Sequence, residues 1–266
     1  MRVAIVQLCS TDDVDANLAR AGEGIEDAVS RGAAFVALPE AFGLLRREGA
    51  PIEDAPVLER RLRASLADWA ASHHVWLLGG SLPEAAAGSS RLYNTSLLLA
   101  PDGRTVASYR KIHLFDVDLA EGNDRYRESD TYAPGEEVVV AETAFGGVGL
   151  SICYDLRFPE LYRQQVDAGA RWLCVPSAFT RETGPAHWEV LLRARAIESQ
   201  SYVIAPAQCG AHSPDRASYG HSLLIDPWGE VLAEGGDEPT VLVADCPPDA
   251  IDRARTVVPS LRNRRL

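Results

Sequence analysis

Hydrophobic positions along the chain follow two rhythms. Apolar runs of about four to eight residues read as buried strands, and longer stretches with apolar residues three and four apart read as helices. Val3–Leu8 predicts a first strand, and Val14–Arg31 predicts a helix that Gly32 stops. Ala34–Leu38 predicts a short buried strand ended by Pro39. Leu58–His73 has amphipathic helical spacing, and Val75–Leu78 predicts a strand leading into Gly79-Gly80. Tyr93–Ala100 and Thr105–Tyr109 flank Pro101-Asp102-Gly103-Arg104, a hairpin turn. Further strands are predicted at Val138–Ala141, Val148–Ile152, Trp172–Val175, Tyr202–Ala207, Ser222–Ile225 and Val241–Ala244, with a second hairpin turn at Asp226-Pro227-Trp228-Gly229.

Two helices, at about Pro159–Ala168 and Pro185–Ser199, separate the later strands. On the second, Glu189 and Arg193 pair at i,i+4, while Trp188, Leu191, Leu192 and Ile197 predict a packing face. Residues 120–134 predict a long charged loop without period, and a loop of that kind is more often functional than idle. Strands and helices alternate with no repeat, linker or composition break, which predicts one layered α/β domain over residues 1–266.

Composition narrows the partners. The net charge of −12 argues against nucleic acid but leaves room for a local basic pocket. Cys9, Cys153, Cys174, Cys209 and Cys246 are odd in number and far apart, without a C-x-x-C pair. That pattern predicts a reduced, cytoplasmic protein with neither a disulfide framework nor a zinc knuckle. No apolar run approaches the ~18 residues a membrane span needs, so no membrane partner is expected.

The chemistry centres on Cys153. The apolar run Val148-Gly149-Leu150-Ser151-Ile152 stops at this residue, and polar Tyr154-Asp155 follow, which puts a thiol at a strand-to-loop corner. Alone, such a cysteine reads more readily as a small buried hydrophobe. Glu40 directly follows Leu38-Pro39, where a rigid strand end could offer a base; alone it reads as a solvated carboxylate. Lys111, at the end of a hairpin strand, could stabilise a developing oxyanion or be a surface cation. Glu128, in Arg127-Glu128-Ser129, reads alone as a solvated charge. Motifs for a serine nucleophile elbow, a zinc protease, a Walker A loop and a dinucleotide fold are absent. His113, His187 and His221 remain open as a base for the thiol.

Together, Leu38-Pro39-Glu40, Tyr109-Arg110-Lys111-Ile112-His113-Leu114-Phe115-Asp116 and Cys153-Tyr154-Asp155-Leu156-Arg157-Phe158-Pro159-Glu160 resemble the nitrilase superfamily of carbon–nitrogen hydrolases. The resemblance runs from the first strand to about Asp245, although residues 121–127 do not align one by one. Thr183-Gly184-Pro185-Ala186-His187-Trp188-Glu189, Gln208-Cys209-Gly210 and Ser218-Tyr219-Gly220-His221-Ser222 are similar to its Nit branch.

The resemblance implies a four-layer α-β-β-α sandwich, an amidase without cofactor or metal, and a homodimer built through helices near Pro185–Ser199. It implies that Glu40 is the base, Cys153 the nucleophile that forms a thioester, and Glu128 an additional glutamate. Lys111 and the N–H of Tyr154 would stabilise the oxyanion. It points to small amides bearing a 2-oxo-carboxylate. Deaminated glutathione, which would yield 2-oxoglutarate and cysteinylglycine, is favoured over 2-oxoglutaramate, which would yield ammonia. Arg157 is the candidate for the carboxylate, or else an ion-pair partner of Glu160 or Asp155. Ala178 and Thr183 are candidate pocket residues. Burial and Glu128 would raise the pKa of Glu40, and Lys111 would lower it. A broader aliphatic amidase and an inactive binding protein on the same fold are the remaining alternatives.

Overall fold

The structure, a computed structural model, describes residues 1–47, 49–86, 88–118 and 125–265. Two sheets pack face to face between two pairs of helices, which is the four-layer α-β-β-α sandwich expected. The first sheet runs Thr240–Asp245, Arg2–Gln7, Phe35–Ala37, Trp76–Leu78, Leu92–Leu99 and Leu82–Ala85, with Thr105–Arg110 also paired to Leu92–Leu99. The second runs Val231–Glu234, Leu223–Ile225, Tyr202–Ala205, Ala170–Cys174, Gly147–Leu150 and Val140–Ala141. Both hairpins expected from their turn residues form, at Pro101–Arg104 and at Asp226–Gly229.

The two-residue period of a strand explains the continuous apolar runs. Val3, Ile5, Phe35, Ala37, Leu78 and Leu98 enter the core shared with the second sheet. Their neighbours Ala4, Val6, Val36, Leu38, Leu77, Leu97 and Leu99 face the helices Val14–Ser30 and Ala55–His73. Helices Pro159–Asp167 and Gly184–Ser199 cover the outer face of the second sheet. Phe145 joins the sheets edge-to-face, with its ring 6.0 Å from Phe35, 5.4 Å from Trp76 and 5.8 Å from Trp172. Phe35 and Trp76 head their strands and Phe145 precedes Gly147–Leu150, so this aromatic knot lies where the parallel strands begin.

Three expectations change. Arg125–Arg127, inside what reads as loop, pairs antiparallel with Asp116–Asp118 just before it, and Glu128–Asp130 forms a 3-10 turn. Charge holds this hairpin: Arg127 donates to both oxygens of Asp118, at 2.7 and 2.8 Å, so no apolar period marks it. Residues 120–124 of the predicted loop lie outside the described residues. On Gly184–Ser199 the buried stripe is Trp188, Leu192, Arg195, Ala196 and Ser199, a helical i, i+4, i+7, i+8, i+11 series. Ile197 falls off it and is 51 % exposed, beside Val190 at 68 %. Asp249–Val257 is a helix, and Cys209–Ser213 with Arg216–Tyr219 is a hairpin; neither is marked by a strong apolar rhythm.

Candidate active site

Glu40, Lys111 and Cys153 leave the ends of three strands at one edge of the sandwich. Glu40 follows Phe35–Ala37, and its corner is pressed against the neighbouring strand end. Gly80 there has φ +54°, and a Cβ on it would lie 1.9 Å from the Pro39 carbonyl oxygen. Only glycine allows that approach. Buried Gln208 donates from Nε2 to the Glu40 carbonyl at 3.0 Å, and Ala41 N–H donates to Ser81 Oγ at 3.0 Å. Lys111 follows Thr105–Arg110. Its N–H donates to the Asn94 carbonyl at 2.9 Å, and its own carbonyl accepts from Gly135 N–H at 2.8 Å.

Cys153 follows Gly147–Leu150. The backbone turns from φ −139° at Ile152 to φ +47° at Cys153, the first residue of the 3-10 turn Cys153–Arg157. A side-chain-bearing residue in that left-handed region costs about 1–2 kcal/mol. Cys153 N–H donates to the Pro176 carbonyl at 3.0 Å. Asp155, fully buried, braces the turn from below. Its Oδ2 accepts from Tyr109 Oη at 2.7 Å and from Ile152 N–H at 2.9 Å. Its Oδ1 accepts from His113 N–H at 3.0 Å and lies 2.7 Å from His113 Nδ1. One carboxylate therefore fastens the Cys153 turn to the segment that carries Lys111.

The side chains converge on the floor of one cleft. Lys111 Nζ donates to Glu40 Oε1 at 3.1 Å and to the two oxygens of Glu128 at 3.0 and 2.8 Å. Asn94 Nδ2 bridges the same carboxylates, at 2.9 Å from Glu40 and 3.1 Å from Glu128. Ala178 N–H donates to Glu40 Oε2 at 2.8 Å, and Phe115 N–H to Glu128 Oε2 at 2.7 Å. Lys111 is 2 % exposed, Glu40 6 % and Cys153 9 %.

Burial penalises every charge here, yet the pairing decides the outcome. Burial alone would push the Glu40 carboxyl up. The Lys111 ammonium, its hydrogen bond, the Cys153 thiol and the Ala178 N–H outweigh this and hold Glu40 below the usual carboxylate range. Burial likewise opposes the Lys111 ammonium, but Glu128 and Glu40 hold its pKa well above the usual lysine value. Burial and then the Glu40 charge push the Cys153 thiol up, against Lys111 and the Ala178 N–H. At neutral pH the trio is thus a carboxylate, an ammonium and a protonated thiol.

The three histidines left open as bases are engaged elsewhere. His113 is held by Asp155, His187 Nδ1 lies 3.1 Å from Arg157, and His221 lies 3.2 Å from Glu234 and 3.3 Å from Asp237. Among the described residues no histidine lines the cleft above Cys153. That cleft has about 950 Å³ of space, its open mouth included.

Tyr154, Arg157, Ala178 and Thr183 all line the cleft, as do Glu40, Lys111, Glu128 and Cys153. Ala178 turns its N–H to Glu40, and Thr183 Oγ1 lies 2.9 Å from Thr180 Oγ1. Arg157 pairs with neither Asp155 nor Glu160, because Asp155 is already bonded to Tyr109, His113 and Ile152. Its guanidinium lies over the rings of Phe179, 5.0 Å away, and Tyr154, 5.8 Å away. Sequence reasoning missed Asn94, Gln208, Arg46, Arg216 and Tyr132. A run of polar residues, Asn94-Thr95-Ser96, inside an apolar strand was the one local signal for the first of them.

The carbon–nitrogen hydrolase family matches residues 2–256. A deaminated glutathione amidase of Synechocystis is 44 % identical, over 98 % of this chain and 97 % of that one. The omega-amidase NIT2 of Xenopus tropicalis is 39 % identical, over 99 % and 95 %. Nit3 of Saccharomyces cerevisiae, a member of branch 10 of the nitrilase superfamily, has a solved structure that matches with TM-score 0.86. It is 33 % identical over 100 % of this chain and 97 % of that one. The sandwich and the full-length likeness agree: the chain belongs to the carbon–nitrogen hydrolase family, in the Nit branch of the nitrilase superfamily, and is an enzyme of that class.

Proposed function

We propose that this enzyme is an amidase working through a Cys153 thioester, with deaminated glutathione as its substrate. The observation that supports the mechanism is that Glu40, Lys111 and Cys153 are all buried at the floor of one cleft, with the Lys111 ammonium 3.1 Å from the Glu40 carboxylate. Glu40 takes the thiol proton as sulfur attacks the amide carbon. Lys111 and the Tyr154 N–H take the charge that develops on oxygen, each such donor being worth ~3 kcal/mol. The C–N bond then breaks, and Glu40 passes its proton to the departing amine. Water, deprotonated by Glu40, attacks the thioester, the acid leaves, and Cys153 recovers its proton. Glu128 holds Lys111 and Asn94 in place, and Arg157 receives the 2-oxo-carboxylate of the acyl group.

The substrate reading rests on the likeness to the Synechocystis amidase. The likeness to an omega-amidase supports 2-oxoglutaramate as the second reading. Measured side by side, kcat/KM for deaminated glutathione should exceed that for 2-oxoglutaramate by about tenfold or more. The reverse order would make the enzyme an omega-amidase.

The ionisation pattern has a sign. A Glu40 held below the usual range is a competent base down to acid pH, and Lys111 stays charged through neutrality. The acid limb of kcat/KM should therefore fall below the ordinary glutamate range, with a plateau across pH 6–8. A limb centred near pH 6 or higher would mean that Glu40 rests protonated.

We assign the chain as one domain, cytoplasmic and homodimeric. Its five free thiols suit a reducing compartment. Val190, Ile197 and Trp228 are exposed on the outer layer of the second sheet, an apolar face suited to a second copy. Light scattering at micromolar concentration should give twice the chain mass; a stable monomer would contradict the assignment.

A further inference from the structure

Asn94 lies in the strand Leu92–Leu99 and is 8 % exposed, yet it is paired on one side only. A side-chain amide carries two N–H donors and one carbonyl acceptor, and groups buried this deeply are ordinarily satisfied throughout. Asn94 Nδ2 uses both protons, on Glu40 Oε1 at 2.9 Å and on Glu128 Oε1 at 3.1 Å. These carboxylates fix the amide's orientation, since the flipped amide would set oxygen against oxygen. Among the described residues, no donor reaches Asn94 Oδ1, and the sealed side-chain atoms without a partner are Ser96 Oγ, Gln165 Oε1 and Gln200 Oε1. Asn94 Oδ1 is not one of them, so a water can touch it. Asn94 lines the cleft above Cys153, which is where that open oxygen meets solvent.

An ionised carboxylate offers about four acceptor places. Glu128 has its own filled: Oε1 accepts from Lys111 Nζ and Asn94 Nδ2, and Oε2 from Lys111 Nζ and the Phe115 N–H. Glu40 Oε1 is filled in the same way, by Asn94 Nδ2 and Lys111 Nζ. Among the described residues, Glu40 Oε2 accepts a hydrogen bond from the Ala178 N–H and keeps one place, which a base needs for the proton it takes. Two open acceptors, Glu40 Oε2 and Asn94 Oδ1, thus belong to side chains bonded to each other at 2.9 Å.

Two neighbouring acceptors suit a reacting water. A water held by one hydrogen bond still swings about it, and a second bond fixes the direction of its lone pair. We propose that Asn94 Oδ1 and Glu40 Oε2 together hold the water that hydrolyses the Cys153 thioester, which makes Asn94 a catalytic residue of the second half-reaction. The assignment rests on the thioester reading above and adds the group that aims the nucleophile. One water proton passes to Glu40 as the oxygen bonds to the acyl carbon. The C–S bond breaks, and the departing sulfur recovers that proton from Glu40. The other O–H stays on the oxygen, donates to Asn94 Oδ1 throughout, and leaves with the acid.

Methanol separates the two acceptors, because it has one O–H to give to Glu40 and none left for Asn94. Initial rates of methyl ester and free acid are measured at a fixed methanol concentration, with whichever of deaminated glutathione and 2-oxoglutaramate the unmodified enzyme turns over faster. Asn94→Leu, which keeps the branched shape of the side chain, should raise the ester-to-acid ratio by about tenfold or more, because only water loses a partner. A residue that merely held Glu40 and Glu128 would slow both products alike, so an unchanged ratio would overturn the proposal. A second measurement does not depend on that variant folding. A high-resolution crystal structure of the unmodified enzyme should show an ordered water within hydrogen-bond distance of both Asn94 Oδ1 and Glu40 Oε2. An Asn94 Oδ1 with no water, or with a protein donor, would equally overturn the proposal. Failure of the thioester reading itself has a different sign: no methyl ester and no acyl adduct on Cys153, even from the unmodified enzyme.

Discussion

Cys153→Ala should abolish amide hydrolysis and leave the fold standing. No other thiol can replace Cys153: Cys174, Cys209 and Cys246 are buried away from the cleft, and Cys9 does not line it. Removing a nucleophile from a working set costs on the order of 10⁴-fold or more in kcat. The stability cost is small by comparison, about 1 kcal/mol, because alanine keeps the same backbone atoms and the Asp155 brace is untouched. Intact mass spectrometry of quenched reactions should reveal an acyl adduct on the native protein and none on the variant. Iodoacetamide should label Cys153 ahead of the other four thiols, since Glu40 can take its proton. Activity that survives the substitution, or uniform labelling of all five thiols, would remove Cys153 from the mechanism.

Lys111→Met should damage stability and activity together. It strips the cation from two carboxylates that share one Asn94 amide. Breaking a buried pair in this way typically costs about 3–5 kcal/mol, a Tm drop of roughly 10 °C in a chain of this size. The sign with pH is specific. In the native protein the depressed Glu40 contributes stability that is present above its unfolded pKa and is lost as pH falls through its folded value. The raised Lys111 contributes stability that is present below the unfolded lysine pKa and is lost as pH rises through the folded value. Without the ammonium, burial drives Glu40 above its ordinary range, so the variant's deficit should be largest near neutrality and shrink toward pH 4.5. Activity should fall by about 10²–10³-fold from loss of the oxyanion partner. The acid limb should also move to higher pH. Adding Glu128→Gln should restore much of the Tm but little of the rate. A Tm deficit that does not vary with pH would show that Lys111 acts by packing alone.

How much of this was legible follows from where each residue sits. Glu40, Lys111 and Cys153 each stand where an apolar strand meets a polar segment, so a single stretch of chain reveals the change. Asn94 and Gln208 become important only through strand order. Asn94 meets Glu40 because Leu92–Leu99 lies beside Trp76–Leu78, and Gln208 reaches the Glu40 carbonyl through the bridge between Leu8 and Gln208. No local pattern encodes those pairings. Arg157 was readable as a cation near the nucleophile, but its freedom from Asp155 depended on Tyr109 and His113, which arrive from another strand. The hairpin at Asp116–Asp118 was hidden for a different reason, because charged pairs replace apolar alternation there. Ile197 was misplaced because a helix of small and apolar residues allows more than one plausible stripe.

The aromatic knot around Phe145 sits at the end of the sandwich remote from Cys153. It is where Phe35 and Trp76 of one sheet meet Trp172 of the other. Glu40 and Lys111 belong to the first sheet and Cys153 to the second, so the reactive distances span the gap between two plates. Rings locked at right angles at the far end make a pivot. With that pivot tight, small rotations of one plate against the other are suppressed, and the spacing of Cys153 from Glu40 and Lys111 is held with them. Catalytic alignment in this enzyme is thus borrowed from core packing a full strand away from the chemistry.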